Sequence, residues 1–251
     1  MFDSHAHYDD RMYDEDSEAL FARMFSEERL SGILTIGCSE RSSKEAIRLA
    51  ESHDKIYAAV GFHPDHAEQV DIALLEELLK HPKVVAIGEI GLDYYYEDPC
   101  RETQQKAFRM QLELAQRTGY PVIVHDRDAH GDILEIVKEY PGVRGVFHSY
   151  SGSVEMAKVL LGMGWYLSFS GVVTFKNARQ APDVARMVPE DRYLTETDCP
   201  YLTPVPFRGK RNDSGKMYYT VEKLAQLRGV PFQTVEEQTE ANARRLFGIE
   251  I

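Results

Sequence analysis

Cysteine is scarce in this chain, and what there is has no partner in sequence. Cys38, Cys100 and Cys199 are odd in number, widely separated and outside any C-x-x-C pair. That spacing excludes a disulfide framework and a cysteine-based zinc finger, leaving buried or idle thiols. No apolar stretch approaches the roughly 18 residues a membrane span requires, and the first residues lack the basic segment and apolar run of a secretory signal. A cytoplasmic protein with no membrane and no obligate protein partner is expected. Positive charge is short as well: 29 Lys and Arg stand against 41 Asp and Glu, a net charge of −12. Such a surface cannot wrap duplex nucleic acid, which requires broad phosphate neutralisation. Contact with a polyanion would have to be short and local, with bound cations supplying positive charge. A G-x-G-x-x-G turn opening a helix is also missing, as is any low-complexity linker.

What is present is a core-forming composition, 43 % hydrophobic and 10 % aromatic over 251 residues. Short β-branched runs alternate with amphipathic stretches from end to end. The strand candidates are "FDSHAH" at the start, Gly32 to Cys38, Ile56 to Pro64, Val84 to Asp93, Pro121 to Asp128, Arg144 to Gly152, Trp165 to Gly171 and Tyr193 to Pro200. Between them, Leu74, Leu75, Leu78 and Leu79 recur at helical spacing, as do Phe108, Leu112 and Ala115 before a stop at Gly119. Nearly continuous apolar strands, each followed by a helix, imply a parallel sheet covered by helices. About eight such units predict an α/β fold of the (β/α)8 TIM-barrel kind, a single domain over residues 1–251, in preference to an open sheet.

In such a barrel the functional face lies where strands end. His5 and His7 follow the first strand, His63 the third, Glu89 and Asp93 the fourth, His125 the fifth, His148 the sixth, and Glu196 and Asp198 the eighth. A lone histidine there is more often structural. Repetition of metal-ligand types at the equivalent place in successive units favours a metal site. Residues i and i+2 share a strand face, so His5 and His7 can grip one ion, and Glu196 with Asp198 leave Cys199 turned away. Imidazole and carboxylate donors suit Zn²⁺ or Mn²⁺, with Mg²⁺ open. His5, His7, Glu89, His125, His148 and Asp198 are too many for one open ion, so two divalent cations are expected, bridged by Glu89. His53, His66, His81 and His130 lie in or beside helical segments and read as surface residues.

Taken in order, "DSHAH", "AAVGFHPDHA", "AIGEIGLDYY", "PVIVHDRDA", "GVFHSYSG", "YLTETDCPYLTP", "RGKRN" and "NARRLFGI" resemble the TatD family of metal-dependent deoxyribonucleases, a barrel hydrolase family, along the whole chain. The resemblance implies that His5, His7, Glu89 and Asp198 hold one ion and that Glu89, His125 and His148 hold the other. Asp198 is then the expected general base and Glu89 the catalytic bridge. His63 and Glu196 match positions that orient ligands or phosphate. Arg208 and Asn212, in the Pro-rich loop after the eighth strand, match positions expected to meet phosphate. Lys210 and Arg211 read equally as a solvated basic run. Ser214 stands where the family usually has proline, which leads us to expect a looser loop. Of Tyr94, Tyr95 and Tyr96, which could stack on nucleobases, two are expected to pack beneath their loop instead.

The implied activity is a two-metal phosphodiesterase on DNA, removing nucleotides from single-stranded 3′ ends. Two alternatives stay open: a hydrolase of small esters, amides, lactones or aminoacyl-tRNA esters, and a non-catalytic metal-binding protein.

Overall fold

The computed structural model describes residues 1–27 and 29–250. Its eight strands are β1 (Phe2–Ala6), β2 (Gly32–Ile36), β3 (Ile56–Val60), β4 (Val84–Asp93), β5 (Val122–Arg127), β6 (Gly145–Phe147), β7 (Tyr166–Phe169) and β8 (Tyr193–Thr195). All pair in parallel with their sequence neighbours in the order β1 to β8. The helices between and after them are α1 (Ser17–Glu27), α2 (Glu40–Ser52), α3 (Ile72–Leu78), α4 (Arg101–Thr118), α5 (His130–Lys138), α6 (Val154–Gly162), α7 (Gln180–Met187), α8 (Met217–Arg228) and α9 (Phe232–Phe247). A single parallel bridge, Ala6 to Cys199, joins the two ends of the sheet. The result is the expected (β/α)8 barrel, nearly closed.

Two apolar layers hold it. Phe2, Leu34, Ile36, Ala59, Ala86, Ile123, Val146, Tyr166 and Leu194 take at least one residue from every strand and form one cluster, the barrel interior. Ala243, Leu246, Phe247 and Ile249, from α9 and the residues after it, join that cluster. The opposite strand faces pack against the helices in a larger cluster that includes Ile33, Val60, Val124, Phe147, Leu112 and Leu224. Several helix ends are capped. Ser39 forms a capping box with Ser42, Asp71 and Ser153 cap α3 and α6, and Gly119 ends α4 in the left-handed conformation at φ 77°.

Side-chain alternation carries the interior face to the barrel mouth. Two residues beyond Ile123 lies His125, and two beyond Val146 lies His148; from Leu194 the same count reaches Glu196 and Asp198, and from Ala59 it reaches His63. On β4 the count is broken. The register slips against both neighbours, and Gly88 and Gly91 take positive φ of 154° and 144°. A Cβ at Gly91 would stand 2.0 Å from the His125 carbonyl oxygen, so only glycine lets β4 lie this close to β5.

Candidate metal centre

Seven of the predicted site residues meet at the mouth. His5 Nε2 and His7 Nε2 are 3.1 Å apart. Asp198 Oδ1 lies 3.5 Å from the first and 3.3 Å from the second, while Glu89 Oε2 lies 3.5 Å and 3.7 Å away. The other Glu89 oxygen, Oε1, is 2.7 Å from His125 Nδ1 and 2.8 Å from His148 Nε2, nitrogens 3.2 Å from each other. Glu89 thus presents one oxygen to each of two donor sets. The seventh, His63, has its Nε2 3.8 Å from Glu89 Oε1 and its ring set edge-on to His125.

This donor set fits divalent cations. Imidazole nitrogens face each other at hydrogen-bond distance, and neither of a pair can donate unless a proton is placed between them. Ions between them and the Glu89 oxygens would give these facing nitrogens and oxygens a shared partner. Each group of three, His5–His7–Glu89 and Glu89–His125–His148, has its donor atoms within 4.8 Å of one another.

The electrostatics agree. Burial alone would raise the Glu89 carboxyl, yet the charges of His148, His63 and His5 and the His125 hydrogen bond hold it well below the usual range. Asp198 is held low in the same way: the His7 hydrogen bond and the neighbouring imidazole charges outweigh its burial. Burial opposes protonation of His125, but hydrogen bonds to Asp93 and Glu89 prevail and carry it up to about 9. Asp198 sits at φ 55° and Ser149, next to His148, at φ 40°, left-handed conformations that turn the chain out of the strand ladder.

Outer groups orient these imidazoles. His125 Nε2 lies 3.1 Å from Asp93 Oδ2. His148 Nδ1 lies 3.4 Å from Glu196 Oε1, a fully buried carboxylate that also accepts from the Ser149 backbone N–H at 2.8 Å and from the Ser168 hydroxyl. Asn212 is buried and donates through Nδ2 to the carbonyls of Thr197 (3.0 Å) and Tyr201 (2.7 Å), bracing the Asp198 turn without lining the cavity.

Two expectations need revision, those for Ser214 and for the tyrosines, and the basic loop stands outside the cavity in this structure. Arg208 is exposed, lies 4.1 Å over the Phe175 ring and is not among the cavity-lining residues; Arg11, Arg41 and Arg127 are. In the basic run Arg211 pairs with Asp16 at 2.6 Å and Lys210 Nζ stands 6.0 Å from the Phe207 ring centroid. Ser214 does not loosen its loop. It is buried, its hydroxyl donates to Asp3 Oδ2 at 2.6 Å and its N–H to the Tyr8 hydroxyl at 3.0 Å. Of the three tyrosines only Tyr94 packs on the core, with its hydroxyl donating to Asp132 at 2.8 Å; Tyr95 and Tyr96 are exposed.

Besides the arginines, Cys38 and His66 join the cavity without having been expected there. Cys38 Sγ lies 3.6 Å from Glu89 Oε2 and 3.9 Å from His7 Nδ1, so it is not an idle thiol remote from the site. Counting by twos along β2, from Leu34 through Ile36 to Cys38, would have found it. His66, read as a surface residue, lines the rim in the turn after His63. Cys199 is fully buried, as expected.

Comparison with known proteins follows the same lines. The chain is 42 % identical to an uncharacterized metal-dependent hydrolase, YabD, of Bacillus subtilis over 99 % of each chain. It is 37 % identical to the uncharacterized metal-dependent hydrolase YcfH of Escherichia coli K12, over 100 % of this chain and 96 % of that one. The crystal structure of YjjV, a TatD homologue from E. coli K12, superposes with a TM-score of 0.92 at 30 % identity, covering 100 % and 98 % of the two chains. The family model for TatD-related DNases matches residues 2–248. The chain therefore belongs to the TatD-related DNase family and is a metal-dependent hydrolase.

Proposed function

We propose that this chain is a two-ion phosphodiesterase that removes nucleotides from single-stranded 3′ DNA ends in the cytoplasm. The observation that carries the two-ion reading is Glu89, whose oxygens each face a separate pair of imidazoles. His5, His7, Glu89 and Asp198 would hold one cation, and Glu89, His125 and His148 the other. Such ions supply Lewis acidity at phosphoryl oxygens and promote ionisation of the attacking water.

The chain's own groups do the rest. Asp198, kept ionised, accepts the proton of the attacking water. Asp93 and Glu196 fix the His125 and His148 rings. His63 Nε2, on the cavity side of its ring beside Glu89, is placed to orient a phosphate oxygen. The cavity is about 730 Å³, within the roughly 300–1,000 Å³ range of ligand sites. Its lining is polar, with Arg11, Arg41 and Arg127 among carboxylates that the two cations would offset, and differs from the apolar pocket that a small-ester hydrolase would favour. Substrate choice in favour of DNA rests on family membership.

The test is a screen of the purified protein against labelled single-stranded DNA, duplex DNA, RNA and model carboxylic esters, with Mg²⁺, Mn²⁺ or Zn²⁺ added in turn. Release of mononucleotides from the 3′ end of single strands, abolished by chelation, is expected. Ester turnover without DNA cleavage would replace this reading with its rival, and activity that survives chelation would end both.

A further inference from the structure

Exposed aromatic surface gathers at the mouth of the metal centre. Tyr95, Tyr96 and Tyr201, at 58 %, 54 % and 51 %, are the three most open of the exposed large apolar side chains among the described residues. Water-exposed rings of this size in one place mark a contact surface better than a structural one. Tyr96 and Tyr201 line the cavity itself.

They stand on opposite sides of it. Tyr201 follows β8, its ring centroid 6.4 Å from that of His7 and its hydroxyl donating to Asp10 at 2.8 Å. Tyr96 follows β4, edge-on to Tyr95 at 4.9 Å. Arg127, at the end of β5, lays its guanidinium 3.8 Å over the Tyr95 ring and 5.7 Å from that of Tyr96, and it too lines the cavity. In an eight-stranded ring the β8–β1 seam and the β4–β5 pair are half a circumference apart. Glu89, which would bridge the cations that hold a phosphate, lies between the donor sets of these two halves.

A phosphodiester carries one nucleoside on each side of phosphorus, and a base has a π-face that an aromatic ring or a guanidinium plane can cover. We infer that Tyr201 on one side and the Tyr96–Arg127 pair on the other are two nucleobase platforms flanking the scissile phosphate. The smallest fully bound substrate is then a dinucleotide. This inference rests on the phosphodiesterase reading above and adds to it where the bases sit. It also explains how an acidic protein gains affinity for a polyanion: through stacking rather than through a broad basic surface.

The test uses the ion-loaded full chain and a thymidine dinucleotide, together with analogues abasic on the 5′ side, the 3′ side or both. Removing either base is expected to lower kcat/KM about 5- to 150-fold, the range for one stacked base. Tyr201→Leu and Tyr96→Leu should each become blind to removal of one base, a different one for each, while Tyr201→Phe and Tyr96→Phe retain the discrimination. Binding of a non-cleavable methylphosphonate dinucleotide, read by tyrosine fluorescence quenching, should follow the same pattern. Equal cleavage of base-bearing and abasic dinucleotides by the unmodified chain, or full discrimination in the leucine variants, would overturn the platforms while leaving a phosphodiesterase. Failure to cleave any phosphodiester with any ion would instead overturn the underlying reading and the platforms with it.

Discussion

Glu89 Oε1 lies 2.7 Å from His125 Nδ1 while its other oxygen lies 3.5 Å from His5 Nε2, so one buried side chain touches both halves of the centre. Glu89→Gln keeps the shape and removes the bridging charge. Loss of one or both ions is expected, with activity down by at least the roughly 10- to 100-fold seen for weaker perturbations of metal sites. Elemental analysis of the purified variant, beside its turnover of single-stranded DNA, checks this; a variant with full ion content and full rate would refute the bridge.

Glu196 does not face the cations but meets His148 Nδ1 at 3.4 Å. Glu196→Gln should weaken ion binding roughly 10- to 100-fold and be partly rescued by higher ion concentration. Titration of activity against added Mn²⁺ reads the shift, and an unshifted curve would remove Glu196 from any orienting role.

Proton competition follows from the same imidazoles. His125 retains its proton up to about 9 in the ion-free site, and His148 is also pushed upward by the Glu89 and Glu196 charges in spite of its burial. A cation must displace those protons. Apparent ion affinity should therefore rise with pH from about 6.5 toward 9, with proton release at pH 7 detectable by calorimetry in buffers of different ionisation enthalpy. Affinity that is flat across this interval would contradict the assignment.

Asp3 is fully buried, and burial pushes its carboxyl up to about 7 despite hydrogen bonds from Ser214, Thr197 and the His5 backbone. Between the ordinary carboxylate value and about 7 the folded chain holds a proton that the unfolded chain has lost. Its contribution to stability is thus greatest below about pH 4 and declines as pH rises to about 7, by about 1.4 kcal/mol per unit and about 4 kcal/mol at most. Asp3→Asn should remove that slope from chemical denaturation curves of the ion-free protein. An unaltered pH dependence would refute it.

Ser214→Pro, the residue usual in the family, removes both the hydroxyl that reaches Asp3 and the N–H that reaches Tyr8. Leaving these buried partners short should cost about 1–3 kcal/mol, read as a lowered denaturant midpoint. A proline variant as stable as the parent would show that the Asp3–Ser214–Tyr8 network is dispensable.

Much of this architecture is legible in the chain because the barrel repeats one physical problem eight times. β4 was read to its last residue, since all ten of its positions are buried and apolar or ligating. Other strands end earlier than the pattern suggests: β6 stops at Phe147 and β8 at Thr195, because the left-handed residues Ser149 and Asp198 end the regular strand geometry there. Pairwise alternation leads to His125, His148 and Asp198, whereas a loop has no such period from which to place Arg208. Its position was decided by Phe175, a contact no spacing rule encodes. For the same reason spacing does not reveal that one of the three tyrosines, Tyr94, packs inward where two are expected to.

The seam between first and last strands carries one further implication. His7 N–H donates to the Cys199 carbonyl at 2.8 Å and Asp198 N–H to the His5 carbonyl at 2.9 Å, so candidate ligands of one ion are also the clasp of the ring. Nearly 200 residues separate the two sides of that clasp in sequence, and the candidate donor set is complete only where His5 and His7 meet Asp198. A cation bound by all three would therefore work as a fastener, its binding free energy adding to the stability of the closed ring.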